Sequence, residues 1–334
     1  MSAPPEPGTL RTSRSRVVAA WIGTALLLGY LAATTDLGTA WDALRHADLP
    51  RILWTLLWAI PATYLVDSIG VTALLRRVGV RVPFGEFLRV KGASYLLNII
   101  NYNLGLVLMA AVVKNRSDRG WGSAGSPFLL LNFLDLSVFG MLVIGALSLG
   151  QCPFPDPAVR TFLWAAAAGA TLAPPFLMAL SRIPKDRGWI GRMAGHGILE
   201  AFRRLDPAAL PLVIGSRTGL VLLYALMNRS FLLAFGTDIP LGKLLVFMPI
   251  LTLVAFMPIS VSGLGSTQVV MRSFYGPFVS PAMAATEAAR TAVIDAFSTT
   301  TILATVLVRA AIGIACLPWV SKALARGRGE GEGW

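Results

Sequence analysis

The segment Phe247–Gly276, FMPILTLVAFMPISVSGLGSTQVVMRSFYG, constrains this chain more than any other stretch. It opens as a membrane-type apolar run, breaks at Pro258, Ser260, Ser262, Gly263 and Gly265, and resumes as a shorter apolar run from Val269. A continuous helix has no use for one Pro and two Gly within eight residues. In hydrocarbon the backbone N–H and C=O groups freed by such a break need partners. Broken backbone therefore survives only inside protein or beside a watery cavity. Interrupted apolar segments are also where secondary transporters build their binding sites. The plainer alternative is a kinked packing helix, because Gly and Pro are common in membrane helices.

The rest of the chain supplies the membrane context. It is 55% hydrophobic and 14% charged, with mean hydropathy +0.67, whereas a soluble domain carries about 25% charged residues. Crossing a bilayer takes about 20 helical residues. Runs of that order occur at Val17–Thr34, Ile52–Leu75, Pro127–Leu149, Arg160–Leu180, Leu212–Phe235 and Ala282–Leu317. The expected fold class is all-α, a polytopic transmembrane helical bundle with two broken or re-entrant segments. The net charge of +12 falls mostly between the apolar runs. There Lys and Arg act as topology signals and meet anionic headgroups, so the charge does not point to nucleic acid. Cys152 and Cys316 make no disulfide framework, and with His46 and His196 as the sole histidines a His-based metal site is not expected. No Walker A loop, dinucleotide fingerprint, zinc-ligand spacing or His placed for a Ser or Cys nucleophile is present. The expectation is a transporter-like protein rather than an enzyme, with no catalytic residue, metal or cofactor.

A second interruption lies at Gly92–Val113, apolar at its ends and polar at its centre through Asn98, Asn101, Tyr102, Asn103 and Gly105. Arg76, Arg77, Arg81, Arg89 and Lys91 precede it, and Lys114, Arg116 and Arg119 follow. A full crossing would place one of these basic groups outside, against the positive-inside rule. A re-entrant hairpin keeps both inside. The order is then two spans, a broken segment and a span, repeated with the second set starting from the opposite side. This is the logic of an inverted repeat with paired broken helices at the substrate site. The halves run approximately 17–150 and 160–319, within one transmembrane domain, 17–319. Residues 1–16 read as a disordered cytoplasmic tail and 320–334 as a basic cytoplasmic tail. An eight-span arrangement also puts both termini in the cytoplasm. Asp36–Pro50, with Leu37, Trp41 and Leu44 on one face, reads as an interfacial helix on the outer side.

Charges within the bilayer cost about 2.5–3.5 kcal/mol each on insertion scales, so each needs a reason. The candidates are Asp67, Asp135, Arg229, Glu287 and Asp295, with Arg217, Arg272, Arg290 and Arg309. Glu287 and Arg290 are i, i+3 neighbours able to pair locally. Alternatively, Arg290 contributes to an anion site for a lipid phosphate. Arg217, Arg272 and Arg309 are expected to snorkel. Asp67 and Asp135 sit mid-span, either as proton or ion carriers or as structural partners of Arg229 or Arg290.

Pro258-Ile-Ser260-Val-Ser262-Gly263-Leu-Gly265, followed some 25 residues on by Arg290, resembles the lysylphosphatidylglycerol synthase transmembrane-region family, also called flippase-like membrane proteins. Asn98–Lys114, with Gly105 and a basic exit, looks like that family's other hallmark segment. The resemblance spans nearly the whole chain. It implies a bundle of the eight-helix type, broken helices included, that moves or exposes lipids between leaflets. There are departures. Asn103 and Leu106 stand where the family usually carries an Arg and an acidic residue, and Thr267-Gln268 stands where it usually carries Arg-Glu. Headgroup identity is therefore not carried over. The chain ends soon after its last span, so the aminoacyl-transferase domain of fused members, and lysine transfer with it, is not expected.

Together these readings give a flippase-like protein of the cell (inner, cytoplasmic) membrane, acting on an anionic phospholipid or glycolipid, with an oligomer allowed. Its expected substrate-binding residues are Asn101, Asn103, Gly105, Ser260, Ser262, Gly263, Gly265, Gln268 and Arg290. Two alternatives stay open at this stage: a non-catalytic partner of a cell-envelope glycolipid or polysaccharide pathway, and a membrane-embedded lipid-modifying enzyme.

Overall fold

In the computed structural model the described residues are 37–100, 102–117, 120–184, 188, 195–256, 266–281 and 284–326. The first expected span, Val17–Thr34, and both terminal tails up to 16 and from 327 lie outside them. So do Asn101, Ser260, Ser262, Gly263 and Gly265, and nothing is described of the Asn103 side chain.

Eleven α-helices are named here: α1 Leu37–Arg45, α2 Leu49–Arg77, α3 Phe84–Ile100, α4 Tyr102–Arg116, α5 Trp121–Ser148, α6 Pro157–Ser181, α7 Glu200–Arg204, α8 Leu210–Ala234, α9 Leu241–Phe256, α10 Ser266–Tyr275 and α11 Glu287–Arg326. Five of them, α2, α5, α6, α8 and α11, are long and apolar enough to cross a membrane. Local chemistry sets several starts. The Asp48 carboxylate accepts from the Arg51 N–H ahead of α2, and Asp156 accepts from the Ala158 N–H ahead of α6, each with Pro in the first turn. Such caps satisfy donors that a helix N-terminus leaves open. The last helix differs from expectation. It continues to Arg326 rather than ending near Leu317, so part of the expected tail is helical.

Both interrupted segments fold back on themselves. At the far end of α3/α4 from the turn, Arg116 near the end of α4 grips Glu86 near the start of α3, at 2.6 Å. Nearer the turn, a Cβ on Gly105 would lie 1.8 Å from Asn98 Oδ1 and 3.1 Å from the Ser94 carbonyl. Eleven residues of straight helix would separate Ser94 from Gly105 by about 16 Å, so this approach exists only in a hairpin, and only Gly fits it. In α9/α10, Phe247 stacks on Phe274 with ring centroids 4.8 Å apart and meets Tyr275 and Phe278 edge-on.

The two sets of helices exchange roles. α2 and α8 pack antiparallel, with Thr55 hydrogen-bonded to Ser230 at 2.6 Å at one end and Gly70 against Ser216 toward the other. α11 lies along α3 as α5 lies along α9, α4 packs on α5 as α10 packs on α11, and α5 meets α8 as α11 meets α2. Even α1 on α11 has its counterpart in the short turn Gly197–Leu199 and α7 on α5. That correspondence, with α2 and α8 running oppositely, is the packing of an inverted repeat. The hairpins make at most marginal contact with each other among the described residues and are bridged by α5 and α11.

Apolar side chains gather toward opposite ends. One cluster contains Leu74, Val82, Phe87, Val113, Ala124, Met178, Phe202 and Val213. The other contains Ile52, Met227, Phe235, Leu244, Val279, Val293 and Phe297. The first lies at the end that carries Arg76, Arg77, Arg81, Arg89, Lys114, Arg116, Arg182, Arg203 and Arg204. Away from the helix ends, the large exposed side chains of the long helices include Trp54, Leu57, Ile69, Phe176, Leu303 and Leu307. That is expected of surfaces facing acyl chains rather than water.

Candidate functional site

Between the two apolar clusters lie four charged side chains from four helices. Arg217 of α8 donates Nε and Nη2 to Asp135 of α5, at 2.5 and 3.0 Å, and Nη1 to Asp67 of α2, at 2.6 Å. Lys91 of α3 reaches the other oxygen of Asp67 at 2.7 Å. Arg217 is 3% exposed and Lys91 and Asp67 are each 7% exposed. Two cations face two carboxylates, and every carboxylate oxygen has a cationic donor. Such burial holds only because both partners are present: removing one leaves an uncompensated charge that costs about 3–5 kcal/mol.

This geometry corrects the sequence reading. Arg217 does not snorkel, because it lies next to two carboxylates well inside the bundle. Lys91, assigned to a basic loop, is buried in α3. Asp67 and Asp135 pair with Arg217, not with Arg229 or Arg290. Arg229 instead lies near the end of α8, 38% exposed, and pairs with Asp238 of the following turn at 3.0 Å. Glu287 is exposed in the first turn of α11 and forms no ion pair with Arg290, whose Nε donates weakly to the Ala284 carbonyl at 3.4 Å.

A second buried pair fastens the other hairpin. Arg272 of α10 donates Nε and Nη2 to the two oxygens of Asp295 on α11, both at 2.7 Å. The side chains are 12% and 8% exposed, so Arg272 does not snorkel either. One turn earlier on α10, Gln268 donates Nε2 to Thr299 Oγ1 at 3.0 Å, while its buried Oε1 has no partner among the described residues. Ser266 and Thr267, which open α10, are also buried. Arg309 lies over the Tyr95 ring at 5.4 Å rather than reaching outward alone.

Of the expected binding residues, Gly105 lies at the close approach of α3 and α4, and Gln268 lies at the start of α10. Arg290 is not beside Gln268. Nine residues of α11 separate it from Thr299, an axial rise of about 13 Å. The cation held against α11 near Thr299 is instead Arg272 of α10, paired with Asp295. Lys91, Arg217 and Arg272 are the charged residues whose position sequence reasoning missed. For Arg272, between Met271 and Ser273 in a short apolar helix, the apolar run was a signal, whereas Lys91 beside Arg89 and Arg217 beside Ser216 and Thr218 carried none.

Long apolar helices, two opposed hairpins and ion pairs sealed from solvent define a multi-pass α-helical membrane protein. Residues 16–307 match the family described as the lysylphosphatidylglycerol synthase TM region, and the chain belongs to that family. No curated protein matches it. The family places the chain among membrane proteins related to lipid handling.

Proposed function

We propose that the protein moves, or exposes, the polar head of an anionic phospholipid or glycolipid between the leaflets of the cytoplasmic membrane. The head passes beside the turns of the two hairpins while the acyl chains stay in lipid. Asn101, Asn103 and Gly105 of the first turn and Ser260, Ser262, Gly263, Gly265 and Gln268 of the second line this path. Arg290 belongs to its rim, at the end of α11 opposite the basic loops.

The observation that carries this reading is the first turn of α10. Gln268 donates its amide N–H to Thr299 and leaves the buried Oε1 without a partner among the described residues. An unmet buried acceptor costs about 1–3 kcal/mol. An acceptor of this kind at the start of α10 supports a polar ligand group meeting this turn. The segment that precedes it, Pro258–Gly265, is the one whose sequence cannot run as an unbroken helix. The inverted arrangement of the hairpins supports alternating access to the two leaflets. The basic end faces the cytoplasm by the positive-inside rule, which puts both termini there.

The test uses the purified chain in vesicles carrying a headgroup-labelled lipid. Accessibility of the label to a membrane-impermeant quencher reports movement between leaflets. Movement is expected with the native chain and lost in the Gly263→Leu, Gly265→Leu double variant, with insertion and elution unchanged. Native-rate movement in that variant rejects the assignment of the path to this turn. Absence of movement with the native chain for every anionic phospholipid and glycolipid tried rejects translocation itself.

A further inference from the structure

A depression of about 530 Å³ opens at the basic end of the bundle, lined by Arg76, Arg81, Val82, Pro83 and Arg116. It lies where α2 ends, where the linker Val78–Pro83 turns into α3, and where α4 returns. Arg116 is engaged by Glu86, at 2.6 and 2.7 Å to its two oxygens. Arg76 and Arg81 have no carboxylate partner among the described residues, and both are exposed. Three guanidinium groups therefore face one carboxylate across a concave surface. This excess fits an oxyanion, and guanidinium matches phosphate oxygens in a fork.

Two features select a lipid over a soluble phosphate. Leu65, Ile69 and Arg76 fall on one face of α2, at steps of four and seven residues. Leu65 is 43% exposed and Ile69 is 54% exposed. An apolar stripe about 16 Å long thus runs down the outside of α2 and ends at Arg76. Nearby, the Lys114 ammonium lies over the Trp121 ring at 4.6 Å and the Arg89 guanidinium over Trp319 at 4.1 Å. Exposed Trp rings of this kind mark the headgroup level of a bilayer.

We propose that Arg76, Arg81 and Arg116 hold the phosphate of an anionic phospholipid from the surrounding leaflet, its acyl chain lying along Leu65 and Ile69. This site is separate from the translocation path, and it stands or falls independently of it. A purely topological role for these arginines needs only charge on this side of the membrane. A binding site needs the charge at these positions.

Native mass spectrometry of the detergent-solubilised full chain separates the two. The chain is offered phosphatidylglycerol, phosphatidylcholine, or phosphatidylglycerol with excess glycerol 3-phosphate. The native chain is expected to retain phosphatidylglycerol about tenfold better than phosphatidylcholine, as two unpaired arginines at the surface imply. The Arg76→Gln, Arg81→Gln variant loses this preference. The Arg77→Gln, Arg182→Gln variant, which removes the same charge from the same end but outside the depression, keeps it. Equal retention by the first variant, or equal loss in the second, overturns the proposal. So does displacement of the lipid by millimolar glycerol 3-phosphate, which assigns the site to a soluble phosphate. Should the double variant elute as aggregate, the single linker variant Arg81→Gln gives the same reading, with a smaller drop expected and no drop overturning it.

Discussion

Arg217 and Asp135 meet in a two-pronged ion pair, Nε to Oδ1 at 2.5 Å and Nη2 to Oδ2 at 3.0 Å, across the boundary between the two halves of the protein. Arg217 comes from the second half and Asp135 from the first, and Asp67 and Lys91 complete the group from α2 and α3. The contact therefore fixes α8 against α5 and α2 at once. With every oxygen of Asp67 and Asp135 already engaged, a resting role as proton acceptor has little to recommend it. The group acts as a tie between the halves.

Loss of this tie has an ordered outcome. Arg217→Met strips Asp135 of its one cationic partner among the described residues and is expected to cost about 3–5 kcal/mol. Asp135→Leu leaves Arg217 with Asp67 and costs less. Combining the two recovers part of the loss, because no charge is then orphaned at Asp135. Thermal unfolding of detergent-solubilised protein, followed by loss of the monodisperse peak, checks the order. Equal effects of both single variants contradict it.

Gly105→Ala is expected to destabilise the first hairpin by about 1–3 kcal/mol, the usual cost of overpacking. The new methyl group meets the Asn98 side chain and, at 3.1 Å, the Ser94 carbonyl. Shortening the obstacle with Asn98→Ala relieves only the first of these. Partial, not full, rescue in the Asn98→Ala, Gly105→Ala protein is the expected melting result.

Arg272 and Asp295 are expected to be energetically coupled by about 0.5–3 kcal/mol, as contacting residues are. A double-mutant cycle with Arg272→Met and Asp295→Leu measures it. Additive losses mean the pair does not hold α10 on α11. The exposed pair Arg229–Asp238 serves as the comparison and should show about 0–1 kcal/mol.

Cysteine labelling from either side of the membrane reads the fold-back directly. With Cys152 and Cys316 replaced, single cysteines at Arg81 and Ser117 are expected to react from the same side. Those at Asp156 and Asp238 are expected to react from the other. Opposite reactivity of Arg81 and Ser117 contradicts a hairpin that returns to its starting face, and favours eight crossings.

Much of the architecture was legible in the sequence because hydrocarbon permits so few solutions. Apolar length placed α2, α5, α6, α8 and α11 in order, and Gly and Asn clusters bounded by basic loops marked where α3 turns into α4. The interruption read at Pro258–Gly265 lies outside the described residues. The matching order of the halves could also be read, since it depends only on counting spans and breaks.

The charged residues were another matter. Arg217 and Arg309 look alike in sequence, each a lone Arg in an apolar run, yet one is buried among carboxylates and the other lies against Tyr95. Lys91 reads as the last member of a basic loop and is instead inside the bundle. A side chain's solvent access depends on which helices flank it, and that is set by packing between segments far apart in the chain. Sequence alone determined which described helices are long and apolar enough to cross a membrane and where α3 gives way to α4, because the cost of exposing backbone to lipid acts locally. Only the tertiary structure decided which charges pair, because a buried ion pair depends on distances between helices that no stretch of sequence contains.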